Sequence, residues 1–168
     1  IPHLIVEHNE QIDWSLQAQI KGLMLSGGKG NPYEPLNLTA NYAAMINLDV
    51  PTIGFCLGHE IIAVAHRGRI RRLAEYQSKR ERVTITKPDD PIFDGLNKPA
   101  LMIQKKHRYQ VPAAPPEFEI IGHSEICAVE IMRHRERPIY TFQGHPEVSG
   151  PDGIVMMENF LRLCGIVE

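Results

Sequence analysis

A cysteine stands in the run Gly54-Phe55-Cys56-Leu57-Gly58, between two apolar stretches, Pro51 to Phe55 and Leu57 to His66. If the first stretch is a buried strand and the second a helix, the cysteine occupies the sharp strand-to-helix turn of a nucleophile elbow. That turn is tight enough to demand small residues two before and two after the nucleophile, and both positions are glycine. The elbow would push the thiol out of the sheet edge toward solvent. It would also set it at a helix N-terminus, where the dipole and the free N–H groups favour thiolate over thiol. The N–H of Leu57 would then point where an oxyanion develops. Alone, the pentapeptide also fits a buried structural cysteine followed by turn glycines, the less frequent of the two readings, and a base is needed to make it a convincing site.

A base is available late in the chain, at His145-Pro146-Glu147. In an extended segment, positions two apart point to the same side, so Glu147 can fold back onto the imidazole of His145. A carboxylate on one ring nitrogen fixes the tautomer and leaves the other nitrogen to take the thiol proton. Alone, this tripeptide reads as a surface turn. It becomes a base beside a cysteine elbow when both follow strands at the carboxyl edge of one parallel sheet, where ligands sit in open α/β folds.

The elements that must position these groups can be read from periodicity. Strands are expected at His3 to Glu7, Lys21 to Ser26 and Pro51 to Phe55, with helices over Leu36 to Leu48 and Leu57 to His66. This alternation argues for a parallel sheet covered by helices. The middle changes character. Arg82 to Thr86 alternates with period two, Lys87 to Gly95 is rich in turn residues, and Leu101 to Lys105, Phe118 to His123, Ala128 to Met132 and Ile139 to Gln143 read as strands. Some of these are expected to pair antiparallel through short Pro-containing turns. Ile154 to Leu163 reads as a helix capped by Asp152 and stopped by Gly165.

The 168 residues suit one domain spanning 1–168. A net charge of −2 gives no overall pull toward nucleic acid or an anionic membrane. No apolar run approaches a membrane span, and no signal peptide opens the chain. Cys56, Cys127 and Cys164 are odd in number and irregular in spacing, which suits the reducing cytoplasm better than a disulfide framework. Cys127 and Cys164 lie in apolar surroundings and read as core. The run Gly27-Gly28-Lys29-Gly30 lacks the glycine spacing and the Ser or Thr of a phosphate loop. The arginines and lysines between Arg67 and Arg82 read as a solvated face, with a docking surface for an acidic partner as the alternative. None of the eight histidines forms a helical ligand pair near a carboxylate, so no metal is expected.

With GFCLGHE around Cys56 and FQGHPE around His145, the chain resembles the class I (triad) glutamine amidotransferases. LSGG at Leu25 to Gly28 is similar to that family's oxyanion loop. The resemblance runs from about Ile20 to the end of the chain. It implies an α/β fold with an open, mainly parallel, flavodoxin-like sheet flanked by helices and antiparallel strands in the second half. It implies that Cys56 attacks the amide carbon of glutamine, that His145 acts as base and then acid, and that Glu147 orients His145. Gly28 and Leu57 would stabilise the oxyanion, and Glu60, Gly54 and His107 would face the substrate. The segment from Ser124 to Val148 and the run Ile92 to Leu96 are most similar to the glutaminase component of the GMP synthases, hence to purine biosynthesis. On that likeness, ammonia passes to a separate ATP-pyrophosphatase synthase subunit. That subunit would hold ATP and magnesium, leaving this chain without a cofactor.

The chain departs from the family pattern in several places. Glu60 stands where the family carries glutamine, Lys29 replaces a proline after the glycine loop, and His107-Arg108-Tyr109 replaces His-Gly-Asp and is closer to what CTP synthases carry. The strand and helix with which the family opens have no counterpart before His3, so the N-terminal strand is expected to be absent. Glu60 keeps open a stand-alone γ-glutamyl hydrolase, and the departures together keep open a non-catalytic regulatory or binding homologue.

Overall fold

The computed structural model describes residues 1–34 and 37–168. Its strands and helices are β1 (Leu23–Leu25), α1 (Thr39–Asn47), β2 (Thr52–Phe55), α2 (Leu57–Ala65), β3 (Arg71–Gln77), β4 (Arg80–Ile85), β5 (Ala100–Gln104), β6 (His107–Gln110), β7 (Phe118–His123), β8 (Ile131–His134), β9 (Ile139–Phe142) and α3 (Pro151–Leu163). Seven strands form one sheet in the order β1-β2-β9-β8-β7-β4-β5, while β3 and β6 make a separate two-stranded ribbon. The expected α/β class and open sheet with helices on its faces are present. Parallel pairing is confined to β1-β2-β9, and every pairing from β9 to β5 is antiparallel.

Two of the parallel strands, β2 and β9, are buried on both faces, and their surroundings show why. All four residues of β2 (TIGF) and of β9 (IYTF) are buried, as strands covered on both sides must be. Alternate side chains go to opposite layers. Ile53, Phe55, Tyr140 and Phe142 pack with Met156 and Phe160 of α3. On the other face, Ile139 and Leu25 pack with Leu57, Ile61 and Ile62 of α2. β2 and β9 run in parallel register, Gly54 opposite Thr141 and Phe55 opposite Phe142. The chain therefore leaves both strands at one edge, into Cys56 on one side and Gln143-Gly144-His145 on the other.

Several expectations need correction. Residues 3–7 form no strand; Leu4 and Ile5 are exposed, Ile5 at 76%. An apolar run becomes a strand only where a neighbour completes its ladder, and no described strand lies beside it. The helix expected from Leu36 begins at Thr39; Leu36 itself lies outside the described residues. β8 sits three residues later than expected, at Ile131–His134. The ribbon strands β3 and β6 are additions to the expected set; β3 is charged and largely exposed, so it carries no alternation to read. Asp152 does not cap α3. Gly150 holds the N-cap, and Asp152 pairs with Lys98 at 2.7 Å.

Candidate active site

The elbow is built as its glycines require. A Cβ on Gly54 would lie 2.7 Å from Ile62 Cδ1 and 2.8 Å from the Gly58 carbonyl carbon, and one on Gly58 would overlap the backbone of Leu25. Gly54, expected to face the substrate, is enclosed under α2, so its contact is with the helix. Between them Cys56 takes φ 49° and ψ −103°, a left-handed conformation that a non-glycine residue holds only under strain. Its N–H donates to the Phe142 carbonyl at 2.8 Å, tying the elbow to β9.

The thiol is not lifted into solvent. Cys56 is 6% exposed, and its Sγ lies 3.6 Å from the Lys106 carbonyl oxygen, to which it donates. Nor does the helix N-terminus hold it as a thiolate. Burial, and next the charge that Glu60 carries when ionised, push the thiol up to about 12, against a smaller opposing pull from the Leu57 N–H. The resting nucleophile is a thiol, and attack requires a base to take its proton.

His145 is placed to do so. Its N–H donates to the Gln104 carbonyl at 2.9 Å, anchoring the turn to β5. Its Nδ1 lies 2.7 Å from Glu147 Oε1, which puts the proton on Nδ1 and leaves Nε2 as the basic atom. A Cβ added to Gly27 would sit 2.6 Å from His145 Cε1 and 3.4 Å from Cys56 Cβ. Nucleophile, ring and glycine loop thus crowd one point, and Gly27 is the glycine that this approach requires. At Gly28, assigned to the oxyanion loop, a Cβ would meet only Leu57 Cδ2, at 3.6 Å. The loop lies over Leu57, the other residue assigned to the oxyanion.

Around this centre lie groups that sequence reasoning missed. Lys105 is fully buried and paired with Glu130, which also accepts from Ser124 Oγ at 2.7 Å. His59 is fully buried beside Thr141 Oγ1 at 2.7 Å, and burial drives it down to about 3, so it is neutral. Ser149, 2.9 Å from the Gln104 N–H, also donates to the His145 carbonyl, and the Ser149 carbonyl accepts from Arg80 at 2.8 Å. Most of these partners join residues far apart in the chain, which no local pattern signals. His107 is buried; its Nδ1 donates to the Tyr109 carbonyl at 2.7 Å, its Nε2 has no partner among the described residues, and burial lowers its basicity. Glu60, one turn into α2, is 4% exposed; Gln143 Nε2 lies 3.4 Å from its Oε1, and burial raises its carboxyl to about 7. Among the described residues, no three His, Cys, Asp or Glu side chains cluster as metal ligands, and no helix is long and apolar enough to cross a membrane.

The chain matches the family model for glutamine amidotransferase class-I over residues 3–164. It is 38% identical over 150 residues to the glutamine-hydrolyzing GMP synthase subunit of Methanococcus aeolicus, covering 89% of this chain and 77% of that protein. Against the Methanothermobacter thermautotrophicus protein of the same name, identity is 34% over 166 residues, covering 98% and 86%. A crystal structure of a Thermoplasma acidophilum protein, assigned to the same kind of GMP synthase subunit, superposes with a TM-score of 0.85 at 28% identity, over 96% of this chain and 80% of that one. A glutamine amidotransferase from Thermotoga maritima shares the fold at a TM-score of 0.62 and 15% identity, over 83% of this chain and 60% of that one.

Proposed function

The chain belongs to the class I glutamine amidotransferases, and from that premise we propose that it is the glutamine-hydrolysing subunit of a two-subunit GMP synthase. It would release ammonia to a separate ATP-pyrophosphatase subunit in the cytoplasm. The observation that carries the reading is the crowding of Cys56 and His145 over Gly27, with Glu147 2.7 Å behind the imidazole. Relatives named as glutamine-hydrolyzing GMP synthase subunits match most of the chain and support the choice of partner.

In the proposed reaction, Cys56 Sγ adds to the amide carbon of glutamine while His145 Nε2 takes its proton, so that thiolate appears only during attack. Concerted removal suits a thiol whose resting state is protonated. The N–H groups of Leu57 and Gly28 stabilise the tetrahedral oxyanion. His145 returns the proton to the departing nitrogen, the C–N bond breaks, and ammonia leaves a thioester on Cys56. Water, deprotonated by the same imidazole, then hydrolyses the thioester to glutamate and free thiol. Glu147 holds the Nδ1 proton throughout and stabilises the imidazolium. Glu60 and His107 line the buried side of the site and are proposed to contact substrate, while Gly54 serves by letting α2 close on β2.

Glutamate release should be assayed for the intact chain alone and with its synthase partner. Activity is expected to rise on addition of the partner and to fall at least about 10³-fold in Cys56→Ala. Turnover persisting in that variant, or faster hydrolysis of γ-glutamyl peptides than of glutamine, would overturn the assignment.

A further inference from the structure

Glu60 and Gln143 face each other under the nucleophile with an incomplete set of hydrogen bonds. Gln143 is fully buried. Its amide nitrogen donates to Glu60 Oε1, but its amide oxygen is buried with no partner among the described residues. An ionised carboxylate has no hydrogen to give, whereas a carboxylic acid has one. An orphaned buried acceptor costs roughly 1–3 kcal/mol, so the pair is complete only when Glu60 carries a proton. We propose that Glu60 works as a neutral acid, its hydroxyl donated to Gln143 Oε1, and that this acid–amide pair keeps a second negative charge from the sulfur of Cys56 as its thiolate forms.

The surrounding charges support this. On α2 the neighbours are Cys56 itself and the neutral His59. From the turn after β5 comes Lys105, a cation whose charge is felt at Cys56, but it is held in its pair with Glu130, which precedes β8. β6 contributes His107, kept neutral by burial. The turn after β9 contributes His145 and Glu147, whose carboxylate also opposes the thiolate. For Glu60 itself, burial opposes ionisation and only the Gln143 N–H favours it, with no described cation to hold the carboxylate. Loss of the Glu60 proton to solvent therefore leaves Gln143 Oε1 unpaired and sets a carboxylate one helical turn from the sulfur.

The inference rests on the proposed role of Cys56 as nucleophile, but its test needs neither glutamine nor a partner. The rate at which iodoacetamide alkylates Cys56 in the intact chain is followed from pH 5.5 to 9.5, with the adduct located by mass spectrometry. In the wild-type chain the logarithm of the rate should climb, level off near pH 7 as Glu60 ionises, and climb again. Glu60→Gln should give one uninterrupted rise, matching wild type at pH 5.5 and running about tenfold faster at pH 8.5. A single uninterrupted rise in the wild-type chain, or Glu60→Gln no faster at pH 8.5, overturns the proposal; the wild-type profile decides alone if the variant does not fold. Absence of glutaminase activity would remove the proposed function without altering this profile.

Discussion

Two side chains on one helix turn carry opposite chemical demands. Cys56 must become an anion during the reaction, and Glu60 must avoid being one. The stability of the chain should register the second demand. The Glu60 carboxyl is raised from 4.5 to about 7, so its favourable contribution is complete below 4.5 and is lost as pH rises through about 7. Glu60→Gln should leave the melting temperature nearly unchanged at pH 5. At pH 8.5 it should raise it by roughly 5–10 °C, corresponding to an order of 2–3 kcal/mol. Equal melting temperatures at pH 8.5 would show that Glu60 ionises without cost. At this scale the sequence is partly legible. Cys56, His145 and Glu147 announce themselves by residue type and spacing, and Glu60 by its departure from a pattern. The buried, protonated state of the thiol is not legible, because the Lys106 carbonyl and the packing that encloses the sulfur reach it only through the fold.

The elements position the base through packing that contains no catalytic group. The first turn of α3 lies so close to the His145 turn that a Cβ on Gly153 would overlap the Pro146 carbonyl. Gly153→Ala should therefore displace the 145–149 turn from β5. Thermal stability is expected to fall by about 1–3 kcal/mol, and glutaminase kcat by a larger factor than KM, since His145 moves while the glycine loop stays. Full activity in a folded Gly153→Ala protein would mean that this contact does not hold the base in place. The strand-to-helix elbow is readable because β2 and α2 are both mostly apolar and Gly54 and Gly58 flank the turn between them. The β3–β6 ribbon is not, since β3 is largely exposed with charged residues on both faces and β6 is a four-residue polar strand, so neither shows a period.

Across the whole molecule, buried and half-buried imidazoles shape the response to acid. His59, His66, His107 and His134 are all lowered from 6.5, His59 to about 3, with burial the leading cause for each. A group depressed in the folded state takes up more protons unfolded, so stability is present above 6.5 and is lost as pH falls below it. Glu60 pulls the other way, so the trend is read in Glu60→Gln, where that opposite contribution is absent. Melting temperature should be nearly flat from pH 7.5 to 8.5 and decline from about pH 6.5 downward, before the exposed carboxylates titrate. A decline starting only below pH 4.5 would place these histidines in solvent. The helix-covered, parallel core can be inferred from the sequence, because its two central strands are short, mostly apolar runs without a charge. The extent of antiparallel pairing cannot, since period and turn residues mark strands without fixing their partners. The strand expected at 3–7 shows the same limit: its residues permit a strand, and pairing alone makes one.

Cys56 is proposed as the one sulfur that engages a glutamine side chain. Incubation with a glutamine analogue bearing an electrophile at the amide position, followed by peptide mass spectrometry, tests this directly. One adduct per chain on Cys56 is predicted, absent in His145→Ala and protected by free glutamine, with Cys127 and Cys164 unmodified. Labelling of Cys127 or Cys164 in place of Cys56, or labelling of Cys56 that is indifferent to glutamine and to His145, would contradict the account.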